Sequence, residues 1–112
     1  MKVEEEVRRV LDTLQKTRTM DILLTIAEGD KKYTEIYNHL VVVDRLITMT
    51  TLKHRLDELQ EVGLISTQIY DADRGYVKYM LTPFGSFIAE RLKVLYGEIE
   101  VGLKKSQISI DN

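Results

Sequence analysis

The sequence predicts a mainly α domain with one small β-hairpin, and three observations carry that expectation. Apolar residues recur at spacings of three and four at both ends of the 112-residue chain and across its middle, the period of an amphipathic helix. Two β-rich runs, 64–70 and 76–81, flank the polar cluster Asp71-Ala72-Asp73-Arg74-Gly75, which reads as a hairpin. Gly29 and Gly63 close periodic segments, and the single proline, Pro83, follows a threonine, as helix boundaries do.

The first segment sets Val3, Val7, Val10 and Leu14 at helical steps, with Leu11 widening the stripe; helices that pack along their length look like this. Thr17 or Thr19 is expected to cap a second helix, whose Met20, Ile22, Leu23, Leu24, Ile26 and Ala27 are apolar nearly all round and mark the buried centre. Thr34 is expected to cap a short helix carrying Ile36, Tyr37 and Leu40, with Val41-Val42-Val43 in the connection that ends near Ile47. Thr48 then caps a strong helix with Met49, Leu52, Leu56 and Leu59 as its seam, stopped by Gly63. After the hairpin, Thr82 and Pro83 start a last helix, in which Ile88, Leu92, Leu95, Ile99 and Leu103 continue a stripe to about Lys105. One domain over 1–105 and a flexible polar tail over 106–112 follow from this pattern.

Several function classes fall away. The chain has no cysteine, so disulfides, thiolate metal sites and cysteine nucleophiles are excluded. His39 and His54 lack metal-ligand spacing, and neither a metal nor a cofactor is expected. There is no glycine-rich phosphate loop, no nucleophile beside a base and no recognisable carboxylate pair, so an enzyme is not expected. No apolar run approaches the roughly 18 residues of a membrane span. The charged start Met1-Lys2-Val3-Glu4-Glu5-Glu6 does not resemble a signal peptide, so a cytoplasmic protein with no membrane partner is expected.

The order helix, helix, helix, hairpin, helix is that of a winged helix-turn-helix with an extra helix at each end. In that arrangement the second helix of the motif protrudes, and the major groove of B-DNA is wide enough to admit it. On the candidate recognition helix, 48–62, the face opposite the seam is Thr50, Thr51, His54, Asp57, Glu58 and Glu61, with Lys53 and Arg55 on the flanks. Its N-terminal half offers hydroxyls, imidazole and cations, while its C-terminal half is acidic. The net charge of −2 is low for a DNA binder, yet Lys31, Lys32, Arg45, Lys53 and Arg55 outweigh Glu35 and Asp44 over residues 31–55.

The candidate contacts to double-stranded DNA are Thr48, Thr50, Thr51, Lys53, His54 and Arg55 on this helix, Arg74 on the wing at 70–76, and Lys31 and Lys32 before the motif. Against them stand plainer roles: a solvated helix face, a solubilising charge at a turn, and polar loop residues. The candidate dimer contacts are Val3, Val7, Val10, Leu14, Ile88, Leu92, Leu95, Ile99 and Leu103. Some of the first helix and of Ile88 and Leu92 must cover the domain's own core. Leu95, Ile99 and Leu103 extend past what a small domain covers, so a homodimer is expected.

The run Ile47-Thr48-Met49-Thr50-Thr51-Leu52-Lys53-His54-Arg55-Leu56-Asp57-Glu58-Leu59, with Glu61-Val62-Gly63-Leu64-Ile65 after it, resembles the recognition helix and first wing strand of HxlR-type winged-helix regulators. Asp21-Ile22-Leu23-Leu24, Gly29 and Tyr33-Thr34-Glu35-Ile36 resemble that family's first core helix and the start of its motif. Val77-Lys78-Tyr79-Met80-Leu81-Thr82-Pro83-Phe84-Gly85 resembles its second wing strand and the junction to the last helix. MarR-like and PadR-like regulators share several of these pieces. The resemblance implies a transcription regulator that binds double-stranded DNA. The alternative is a winged helix used for protein–protein contact in a transcription or replication complex, which the acidic balance would suit.

Overall fold

The apolar stripes become five helices and one three-stranded antiparallel sheet among residues 2–111, which this computed structural model describes, with side chains as far as Gln107. The elements are α1 (Val3–Leu14), α2 (Thr19–Ala27), β1 (Lys31–Lys32), α3 (Tyr33–Val43), α4 (Met49–Glu61), β2 (Ile65–Asp71), β3 (Tyr76–Leu81) and α5 (Pro83–Asp111). The strand order is β1-β3-β2. Ile22, Leu23 and Ile26 of α2 lie at the centre, wrapped by Ile36 and Leu40, by Leu52, Leu56 and Leu59, and by Leu64, Ile65, Tyr79, Ala89 and Leu92. Each fully buried Leu or Ile contributes about 1.5–3 kcal/mol by leaving water, which fixes the angle at which α3 and α4 meet.

Four local expectations need correction. Neither Thr17 nor Thr19 caps α2; the cap position is Arg18, in the left-handed region at φ 67°. That conformation costs an L-residue roughly 1–2 kcal/mol, and one long-range and one local side-chain contact offset it. The Arg18 Nε donates to Asp44 at 3.1 Å and its Nη1 to Asp21 at 3.3 Å. Thr19 becomes the first helical residue, its buried hydroxyl without a hydrogen-bond partner among the described residues. Second, the N-cap of α3 is Lys32 rather than Thr34, and Glu35 Oε1 accepts from the Lys32 backbone N–H at 2.8 Å. Third, Val41-Val42-Val43 is the last turn of α3 and not a connection. β-Branching costs a helix only tenths of a kcal/mol per residue, and burying Leu40 outweighs it. Fourth, α5 does not stop at Lys105 but is helical to Asp111, since no glycine or proline interrupts 103–111. Ser106 and Gln107 of the expected tail are exposed on this helix, and Asn112 lies outside the described residues.

The Arg18–Asp44 contact ties the start of α2 to the α3–α4 turn. Hydrogen bonds from Arg18 and from the Leu46 N–H hold the Asp44 carboxyl below its ordinary pKa. A carboxyl whose pKa is lowered by folding adds stability that is complete above its unfolded pKa and lost as pH falls through the folded value. The stability difference between wild type and Asp44→Asn, measured by urea denaturation, should therefore be constant above about pH 5 and close progressively below it. A difference that grows on acidification contradicts the assignment.

Candidate nucleic-acid interface

The helix-turn-helix is built by α3, the turn 44–48 and α4. Asp44 Oδ1 accepts the Leu46 N–H at 3.0 Å, an Asx-turn that bends the chain out of α3, and buried Ile47 pins the bend to the core. Thr48 caps α4 as its sequence position implies, its Oγ1 accepting the Thr51 N–H at 3.1 Å. The half-buried Tyr33 hydroxyl donates to the Met49 carbonyl at 2.6 Å. Burial pushes the pKa of this phenol up, so it remains a donor at neutral pH. Met49 itself is 52% exposed, so the seam of α4 is Leu52, Leu56 and Leu59 without it.

Thr50, Lys53 and His54 form the exposed face of the first turns of α4. Lys53 Nζ donates to Asp57 at 2.8 Å with both side chains about half exposed; such a surface pair is worth little and gives way readily to a stronger anion. Thr51 stands apart, since its hydroxyl is engaged by Thr48 at 3.0 Å. Arg55 leaves the face altogether. Its Nε donates to the Thr17 carbonyl at 3.2 Å and its Nη1 to Glu58 at 2.8 Å, with the side chain 22% exposed. Glu58 also holds Lys16, so this pair braces α4 against the α1–α2 connection instead of facing solvent. The sequence shows charge at these positions but not the partner that the fold folds back onto them.

The wing is the β2–β3 hairpin. Gly75, at φ 69°, closes its turn. Arg74 sits at the tip with its side chain 70% exposed, 3.7 Å from Asp71 and 6.0 Å over the Tyr76 ring. Lys31 and Lys32 are strand residues, paired with Tyr79 and Lys78 of β3. This third strand went unpredicted because two residues carry no period. Lys32 and Lys78 both lie near the Tyr70 ring, which adjoins Tyr76; Tyr70, Tyr76 and Lys78 are not among the candidate contacts read from the sequence, because their common face depends on a register that only the fold supplies. A cleft of about 490 Å³ separates the wing from α4, with Lys32, Lys53, Tyr70 and Tyr76 on its walls.

The candidate dimer residues divide. Leu14 and Leu92 belong to the chain's own core, and Val10 and Ile88 pack half-buried against it. Val3, Val7, Leu95, Ile99 and Leu103 remain exposed. Among the described residues no group of three His, Cys, Asp or Glu is placed to hold a metal, and no helix is long and apolar enough to cross a membrane.

Solved structures share this fold. A candidate transcriptional regulator of the MarR family from Enterococcus faecalis V583 is 24% identical, with 95% of this chain and 93% of that one covered at a TM-score of 0.77. A possible HxlR family transcriptional factor from Thermoplasma volcanium GSS1 is 25% identical, covering 85% and 82% at a TM-score of 0.68. The homodimeric winged helix-turn-helix DNA-binding domain Mb0332 from Mycobacterium bovis, a possible ArsR-family regulator, is 20% identical, covering 86% and 82% at a TM-score of 0.70. Comparison with curated proteins finds no match. The family model described as HxlR-like helix-turn-helix matches residues 13–106, from the end of α1 far into α5, and the chain belongs to that family.

Proposed function

We propose that this protein is a sequence-specific transcription regulator that binds double-stranded DNA as a homodimer. In this reading α4 enters the major groove and the β2–β3 wing lies on the adjacent backbone or minor groove. The observation that carries it is the exposed start of α4. Thr50, Lys53 and His54 present a hydroxyl, an ammonium and an imidazole there, and the carboxylates of that face begin only at Asp57. Helices of this motif contact base edges with their N-terminal residues, so donors and cations come first and the acids stay clear of phosphate. The M. bovis neighbour, described as a homodimeric DNA-binding domain, supports the same mode of action.

Selecting binding sites from random duplexes with the purified protein tests the proposal, and a preferred sequence is expected. Thr50→Ala combined with His54→Ala should then weaken binding to that sequence by about 10- to 100-fold, since a base contact is worth about 1–3 kcal/mol. Binding to unrelated duplexes should hardly change. Equal losses on every duplex would remove the base contacts, and failure to bind any duplex at low salt would remove the proposal.

A further inference from the structure

The face of the sheet beside the recognition helix carries a like-charge pair that folding alone does not account for. Lys32 and Lys78 are directly opposite partners where β1 meets β3. Side chains so placed have β-carbons about 5 Å apart, and like charges there destabilise a sheet. Both ammonium groups also converge on one ring: Lys32 Nζ is 4.8 Å and Lys78 Nζ 5.9 Å from the centroid of Tyr70. Among the described residues neither has a carboxylate at ion-pair distance. The acids nearby are otherwise engaged, Glu35 by the Lys32 backbone N–H and Asp71 by Arg74.

The ring is aimed by an irregularity. Ile69 pairs with Val77 and Asp71 with Tyr76, leaving Tyr70 as the extra residue of a bulge, a device that redirects a side chain at a strand's edge. Its ring centroid lies 5.9 Å from that of Tyr76. A ring within 6 Å of two ammonium groups attracts each of them modestly at an exposed site without cancelling their mutual repulsion. An anion between them would. Lys32 and Tyr70 border the cleft whose other wall carries Lys53 of α4, the side on which a duplex bound by that helix would lie.

We propose that Lys32, Lys78 and Tyr70 form a seat for a backbone phosphodiester of the bound duplex, with the phosphate oxygens bridging the two ammonium groups and the tyrosine ring keeping both in place. This rests on the DNA-binding reading above and adds to it a contact that fixes how the wing sits on the strand without reading its sequence.

The test uses the full chain and the selected duplex, with affinity measured across a salt series for wild type, Lys32→Gln, Lys78→Gln and the double variant. Each single change should flatten the slope of log affinity against log salt by about one unit and the double by about two. Losses should be the same on preferred and unrelated duplexes. The melting temperature of the protein alone should hold or rise, because the repulsion is gone; a merely structural pair would lower it. Wild-type slopes in both single variants overturn the seat while leaving DNA binding intact, as does an affinity loss that follows a falling melting temperature. A wild-type protein that binds no duplex at low salt removes the DNA reading and the seat together.

Discussion

Replacing Gly85 with alanine is expected to lower the melting temperature by roughly 10 °C, a loss of about 3 kcal/mol. The reason lies in the junction between the wing and α5. Thr82 Oγ1 donates to the Gly63 carbonyl at 2.5 Å and accepts the Gly85 N–H at 3.0 Å, while the Thr82 N–H donates to the Leu64 carbonyl at 3.1 Å. These bonds draw the first turn of α5 against the chain between α4 and β2. A β-carbon on Gly85 would stand 1.9 Å from the Leu64 carbonyl oxygen and 2.9 Å from its carbon. Both are backbone atoms of a fully buried residue, so no side chain can swing aside. Either α5 lifts off the core or the base of the wing moves. Gly97 provides the control, with nothing among the described residues within 4 Å of the same added atom. Gly97→Ala in the helix interior should be neutral or stabilising by up to about 1 kcal/mol. A Gly85→Ala protein that melts within about 2 °C of wild type would refute this account of the junction.

The start of α5 at this junction was legible in the sequence. The need for glycine at position 85 is set by the distant Leu64 backbone, but Thr82 and Pro83 are boundary residues whose chemistry is local, as is the cap at Thr48, and local chemistry can be read along the chain. The seam Leu52, Leu56 and Leu59 was legible for the same reason, since a period of 3.6 needs no partner to be seen. What escaped was set by contacts between distant segments. Arg18 takes a left-handed conformation because Asp44 is 26 residues away in sequence yet 3.1 Å away in space. Arg55 reads as a DNA contact on a helical wheel, but the fold brings the Thr17 carbonyl and Glu58 to it. The basic–aromatic face of Lys32, Tyr70 and Lys78 appears only once β1 pairs with β3 and the bulge turns Tyr70.

The protein should sediment as a dimer, and Leu95→Glu combined with Ile99→Glu should convert it to a monomer that keeps its helical content. At 29 residues α5 spans about 43 Å, and only its first turns meet the core, through Ile88, Ala89 and Leu92. Beyond Leu92 the same stripe runs on uncovered, with Leu95 49%, Ile99 51% and Leu103 59% exposed. On α1, Val3 and Val7 are likewise open to solvent at 75% and 49%. Helical stripes of this kind are buried by packing against another helix along their length, and a second copy offers the same face by symmetry. Charge placed in that contact, with no partner, costs several kcal/mol, whereas in the monomer these positions face water and the domain should fold. Val101→Glu is the control, because Val101 lies on the opposite side of α5 and is 52% exposed, and it should leave the dimer intact. A two-fold pair would set its recognition helices about one DNA turn apart, so the selected site should be a pseudo-palindrome with half-sites centred about 10 base pairs apart. Two modest contacts on one duplex multiply through effective concentration, and the monomeric variant should lose on the order of 100-fold or more in affinity for that site. Sedimentation of wild type and variants, with circular dichroism on each, measures this directly. A wild-type chain that sediments as a monomer at high micromolar concentration, or a double variant that remains dimeric, would remove α5 as the interface.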